Sequence, residues 1–130
     1  MNENVNGYML LSEECLRDSR YLLQHKSYRS AVGRAYYVYF DAVRALLASK
    51  NLSIKSHSAI KMLFGEHFIQ SGLFNRSDAK DFHHLFLLRQ NSDYEIDEDV
   101  SELDAIEAVN IASEFPLQVE AYLRENGFTS

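Results

Sequence analysis

Arg89, Asp93 and Tyr94 are the residues of this chain whose types and spacing best suit chemistry. An apolar run, Leu85-Phe86-Leu87-Leu88, ends abruptly in Arg89-Gln90-Asn91-Ser92-Asp93-Tyr94. Phe82, Leu85, Phe86 and Arg89 fall at i, i+3, i+4 and i+7, so the guanidinium leaves the same helical stripe as the core residues. A cation at the margin of a core must meet a partner or a ligand, because an isolated charge there is costly. Two readings follow. Arg89 can hold a phosphate or stabilise charge developing on phosphorus, with Tyr94 adding a hydrogen bond and Asp93 orienting Arg89 or a ribose hydroxyl. Alternatively, Arg89 and Asp93, one turn apart, form a salt bridge that caps the helix. Spacing alone leaves the two level.

Five helical stretches are expected to present this corner. Residues 8–25 place Leu11, Cys15, Leu22 and Leu23 near one stripe, with Ser12-Glu13-Glu14 as an N-terminal signal. Residues 28–50 keep helical apolar spacing from Tyr28 to Leu47 and are apolar on more than one side, which predicts a central helix. Gly33 and the alanines of that helix predict a closely crossing neighbour, since mid-helix Gly otherwise costs about 1 kcal/mol. A third helix, 57–71, takes Ser56 as N-cap and Gly72 as its C′ residue. The fourth opens at Asn75-Arg76-Ser77, with Ser77 as N-cap and Asp78 and Asp81 where the macrodipole favours acids. It carries Phe82 to Arg89 and ends near Tyr94. Glu95 to Val100 is an acidic linker, and Ser101-Glu102-Leu103-Asp104 is a capping-box-like start for the fifth helix. Pro116 should kink that helix or divide it. No strand alternation or hairpin turn occurs, so the fold class is all-α.

The chain has 130 residues, 46% of them hydrophobic, which suits one domain over 1–130 with a core from about 8 to 124. Disorder is expected only at the ends, 1–7 and 127–130. No apolar run nears the roughly 18 residues that span a bilayer, and the N-terminus lacks the pattern of a secretory signal. Cys15 is the sole cysteine, which rules out an intrachain disulfide and suits an ordinary packed thiol. Cytoplasm is the expected compartment.

The net charge of -6 is unevenly spread. Residues 17–61 hold nine of the thirteen Lys and Arg against Asp18 and Asp41, whereas the chain from Met62 onward has four bases and fourteen acids. One reading is a basic face for phosphate or RNA. The other is that basic and acidic helices pair, within the bundle or across a dimer, and the pI of 5.3 favours it.

Other constellations give little. No Glu has His three residues later, as a di-iron bundle needs. His25, His57, His67, His83 and His84 form no H-x3-H pair, and one cysteine excludes the usual zinc-finger sets. No Gly-rich phosphate loop or G-x-S-x-G is present. No metal or cofactor is expected. Tyr36, Tyr37, Tyr39 and Phe40 can stack bases but at helical spacing read as core. His83 and His84 precede Arg89 off its stripe and read as surface histidines, with a proton acceptor as the sharper alternative.

Arg34-Ala35-Tyr36-Tyr37-Val38-Tyr39-Phe40, Ser56-His57, Leu63-Phe64 and Arg89-Gln90-Asn91-Ser92-Asp93-Tyr94 together resemble the HEPN domain family, in its small stand-alone prokaryotic branch. The likeness covers about residues 10–124. It implies an up-and-down bundle of four or five helices, commonly a homodimer. It also implies frequent partnership with a minimal nucleotidyltransferase in toxin–antitoxin pairs. Many family members are metal-independent ribonucleases whose arginine and histidine, with four to six residues between them, meet their copies at a dimer seam. Arg89 matches that arginine. Asp93, Tyr94, Glu95 and Ile96 stand where the histidine would fall, and Tyr, with a pKa near 10, is a poor substitute for imidazole near neutral pH. The resemblance therefore implies an RNA- or nucleotide-facing groove at a homodimer seam, with two alternatives: a ribonuclease toxin or a non-catalytic adaptor dimer.

Overall fold

Six consecutive residues of one helix, Val38 to Val43, are all buried, so that helix has no solvent side at its middle. In the computed structural model, which describes residues 2–94 and 100–128, this is α2 (Tyr28–Ser49), the axis of the fold. It packs against α1 (Asn2–Gln24), α3 (His57–Phe64), α4 (Arg76–Tyr94) and α5 (Glu102–Glu125). Among the described residues there is no strand, and the fold is an all-α helical bundle. No described helix is long and apolar enough to cross a membrane. The proposed acidic linker, apart from Val100, lies outside the described residues.

α1 begins well before the expected start, and the presumed disordered segment from Asn2 to Gly7 is helical. Its apolar stripe explains the difference: Val5 is buried one turn ahead of the buried Met9 and continues the core-facing stripe toward the N-terminus. Leu11, expected inward, is exposed. Ser12 is not a terminal signal but a fully buried mid-helix residue whose Oγ donates to the Val38 carbonyl at 2.7 Å. A hydroxyl is tolerated there because it has an acceptor. Cys15 is buried, as expected of a packed thiol.

Gly33 also departs from expectation. A Cβ at this position meets nothing within 4 Å, so none of the described helices crosses closely there. The tight packing of α2 comes from Ala31, Ala35, Ala42 and Ala45, all fully buried.

Ser56 caps α3 as expected, accepting from the Ala59 amide at 3.4 Å. The helix does not run on as α to residue 71. It passes at Gly65–Ile69 into a π-helical turn closed by the Gln70 amide on the Gly65 carbonyl, 2.9 Å. Gly72 then takes the left-handed φ of 82° that a chain reversal needs. At the start of α4, Ser77 is inside the helix. The cap comes from an acid instead: Asp78 Oδ2 accepts from the Asn75 amide at 3.0 Å, the arrangement of an N3 acid reaching back to the N-cap position. Ser101 caps α5 through the Asp104 amide, 3.0 Å. Pro116 does not divide α5, because Phe115, Pro116 and Val119 are packed into the core and hold both halves on it.

An aromatic seam joins these helices. Tyr39 of α2 stacks on Phe115 of α5 with centroids 3.7 Å apart and on Phe82 of α4 at 5.2 Å. Its hydroxyl donates to the Asp78 carbonyl at 2.7 Å, so the buried phenol is satisfied. α4 is thereby fixed against α2 at the level where Phe82 and Leu85 enter the core.

Candidate nucleotide-facing site

α2, α3 and α4 surround a cavity of about 450 Å³ lined by Tyr36, Ser56, His57, Ser58, Lys61, Phe82 and Phe86. Each helix contributes by its own periodicity. Once Ser56 starts α3, His57 and Lys61 stand four residues apart and share a face. On α4, Phe82 is buried in the stripe and Phe86, one turn on, is only half-buried, so it forms a wall. Tyr36 projects from α2 with its ring buried and its phenolic oxygen 3.0 Å from His57 Nδ1.

Arg89 follows on the α4 stripe and is half-buried, as its spacing predicts. Its guanidinium carbon lies 5.2 Å from the Tyr36 ring centroid and 5.1 Å from that of Tyr37. The cation at the core margin therefore rests on two aromatic faces, a partner that sequence spacing did not suggest. Arg89 does not itself line the cavity but shares the Tyr36 wall with it. The backbones of Asp93 and Tyr94 occupy the last turn of α4, while their side chains lie outside the described residues. The expected Arg89–Asp93 pairing lies outside the described residues as well.

Burial pushes the His57 imidazole below its usual range, with the Arg89 and Arg44 cations acting the same way, so the ring is neutral near pH 7. Burial raises the Tyr36 phenol well above its usual value, only partly opposed by Arg89, and keeps it protonated. Lys61 is pushed down by burial. Its ammonium hydrogen-bonds His83 Nδ1 and lies 5.2 Å from the Phe86 ring centroid. His83 and His84 are exposed, as expected, and His84 pairs with Glu107 of α5. Of the aromatic cluster, Tyr36, Tyr39 and Phe40 are buried, and Tyr36 is both core and cavity wall.

Sequence reasoning found Arg89 but missed His57, Lys61 and Ser58 as neighbours of one cavity, and read Ser56 only as a cap. The available signal was the four-residue spacing of His57 and Lys61 directly after a cap. Among the described residues no three His, Cys, Asp or Glu side chains are grouped to hold a metal ion.

Behind this wall lies a second polar centre. Asp41 of α2 is buried, and burial raises its carboxyl to about 6 against the opposing pull of Arg44 and Arg34. Arg44 approaches it at 3.8 Å, donates to the Tyr8 hydroxyl at 3.0 Å and stacks its guanidinium carbon 4.2 Å from the Tyr8 ring centroid.

A helical bundle with a cavity of aromatic walls and cationic edges is the class that fold and site define. Residues 8–121 match the HEPN domain profile, and the chain belongs to the HEPN domain family. It is 30% identical over 125 residues to a Methanocaldococcus jannaschii protein named "Putative toxin MJ0605", covering 96% of this chain and 92% of that one. A "UPF0332 protein" of Thermotoga maritima is 37% identical over 97 residues, 72% of this chain and 74% of its own length. "Putative toxin MJ0142" of M. jannaschii is 33% identical over 87 residues, 65% of this chain and 57% of that protein.

Proposed function

We propose that this chain is a toxin-like HEPN protein that takes single-stranded RNA or a nucleotide into the cavity between α2, α3 and α4. It acts as a homodimer and as one half of a two-gene system with a minimal nucleotidyltransferase. The observation that carries the ligand class is the make-up of the cavity. Phe86, half-buried in front of the buried Tyr36 and Phe82, offers aromatic surface to a base, and Lys61 in the cavity with Arg89 beside its Tyr36 wall offers positive charge to a phosphate. Base stacking on such walls is worth about 1–3 kcal/mol per base. The toxin assignment is supported by the names of two relatives, and the partner and dimer by the family to which the motif residues point.

A second reading, RNA cleavage without metal, is favoured by one observation. Although no histidine follows Arg89 at the family spacing, His57 lies against the same Tyr36 and Tyr37 rings as Arg89, with centroids at 5.8 and 6.1 Å. Imidazole is thus present beside the arginine, supplied by another helix.

Fluorescence anisotropy with a labelled single-stranded RNA tests the ligand class. Saturable binding that weakens at high salt and is lost in Arg89→Ala is expected. No binding by wild-type dimer, alongside tight binding of a nucleotidyltransferase, would leave the protein an adaptor instead.

A further inference from the structure

We propose that His57 and Lys61 are the proton-transfer pair of an RNA-cleaving site, so that α3, not the chain following Arg89, supplies the imidazole. The proposal rests on the reading that the cavity takes RNA and adds which residues move protons there.

The geometry has three parts. His57 and Lys61 lie one turn apart on the same face of α3, and both line the cavity. His57 is oriented through Nδ1, 3.0 Å from the Tyr36 phenolic oxygen. Of the two tautomers this contact allows, the one in which Nδ1–H donates to the phenolic oxygen leaves the lone pair on Nε2, and it is the one that proton transfer to Nε2 requires; in the other the phenol donates to Nδ1. Tyr36 is therefore a positioning residue, and its burial keeps it from titrating in competition. Finally, Arg89 lies over the same Tyr36 ring, where a guanidinium can meet charge on a phosphate held at the cavity edge.

The charge environment suits the two roles. The Phe40 ring lies closest to His57, and the titratable and charged groups facing it are Tyr36, Tyr37 and Arg44 from α2 and Arg89 from α4. Burial and the two cations disfavour imidazolium, so His57 is an acceptor at neutral pH. Lys61 faces His83 and Phe86 of α4, and its burial loosens its hold on a proton, which makes the ammonium a better donor. Both groups are pushed toward their neutral forms, which leaves His57 ready to accept a proton and Lys61 ready to release one.

The step balances without a co-reactant. His57 Nε2 takes the proton of a ribose 2′-hydroxyl, and the 2′-oxygen bonds to the adjacent phosphorus. The bond from phosphorus to the 5′-oxygen of the next nucleotide breaks. That oxygen leaves with the electron pair and takes a proton from Lys61. The products are a 2′,3′-cyclic phosphate and a 5′-hydroxyl end, and exchange with water restores both residues.

The test uses the full chain, a mixed-sequence single-stranded RNA in excess EDTA, and the same RNA carrying 2′-O-methyl groups as a binding probe. Wild type should yield 2′,3′-cyclic phosphate ends. His57→Ala and His57→Asn should slow cleavage by about 10²–10⁴-fold, the usual worth of a positioned acid or base, and still bind the 2′-O-methyl RNA. Added imidazole should partly rescue His57→Ala, which a packing role does not predict. Lys61→Ala should be slow on ordinary RNA and close to wild type on RNA with a bridging 5′-sulfur, whose leaving group needs no proton. His57→Asn cleaving at the wild-type rate, or wild type binding RNA without cutting it, overturns the assignment and leaves the RNA reading standing. Absence of binding to the 2′-O-methyl RNA overturns both.

Discussion

The Arg89 guanidinium rests 5.2 Å from the centroid of the Tyr36 ring, and the hydroxyl of that same ring holds His57. One buried tyrosine therefore links the α4 cation to the α3 imidazole. Arg89→Leu separates a structural from a functional role. Loss of the cation–π contacts should lower stability by about 0.5–2 kcal/mol in urea denaturation, while RNA binding should be abolished. Arg89→Lys should bind only weakly, since it keeps the charge without the planar stack. A variant that loses stability and binds normally would mark Arg89 as a helix-end residue only.

Asp41 predicts an unusual pH response. Its carboxyl is raised from 3.8 to about 6, so between those values the folded protein keeps a proton that the unfolded chain has released. Stability from that proton is fully present below the lower value and is lost as pH rises through the upper one. Asp41→Asn cannot titrate. The stability difference between variant and wild type should therefore move in favour of the variant from pH 4 to 7, by of order 1–3 kcal/mol. Urea midpoints at four pH values read it, and a constant difference would contradict the raised carboxyl.

Gly33 has open space where a Cβ would stand and sits mid-helix. Gly33→Ala should raise stability by roughly 0.5–1 kcal/mol through helix propensity alone. Thermal denaturation measures this, and a fall would mean that another molecule packs there.

The α4 cap gives a fourth prediction. Asp78→Ala removes the acceptor of the Asn75 amide and should cost about 0.5–2 kcal/mol. The Tyr39 hydroxyl bond survives because it goes to the Asp78 backbone carbonyl. Faster amide exchange confined to the start of α4 would localise the effect.

The helices of the bundle were largely legible because hydrophobic spacing reports burial face by face, and α2, apolar on more than one side, could only be central. Ser77, Gly33 and Leu11 misled for local reasons. Ser77 was displaced by the Asp78 carboxylate that holds the Asn75 amide, Gly33 by open space among the described residues, and Leu11 by a stripe that begins earlier at Val5. The candidate site was half legible. Arg89 declared itself by a charge on an apolar stripe, but its aromatic partners lie on another helix, and no spacing rule connects them. His57 and Lys61 sit behind a capping serine, and only the packing of α3 against α2 and α4 turns them toward Arg89's wall.

The π turn at Gly65–Ile69 spends one residue more per turn than the α-helix around it. Upstream of it α3 serves the cavity, while Phe68 within the turn and Phe74 downstream serve the core. The turn is thus a length reserve in the gene: a one-codon loss here would tighten the coil instead of shifting every contact beyond it. Among descendants of this sequence, single-residue gaps should gather at this turn and spare α2.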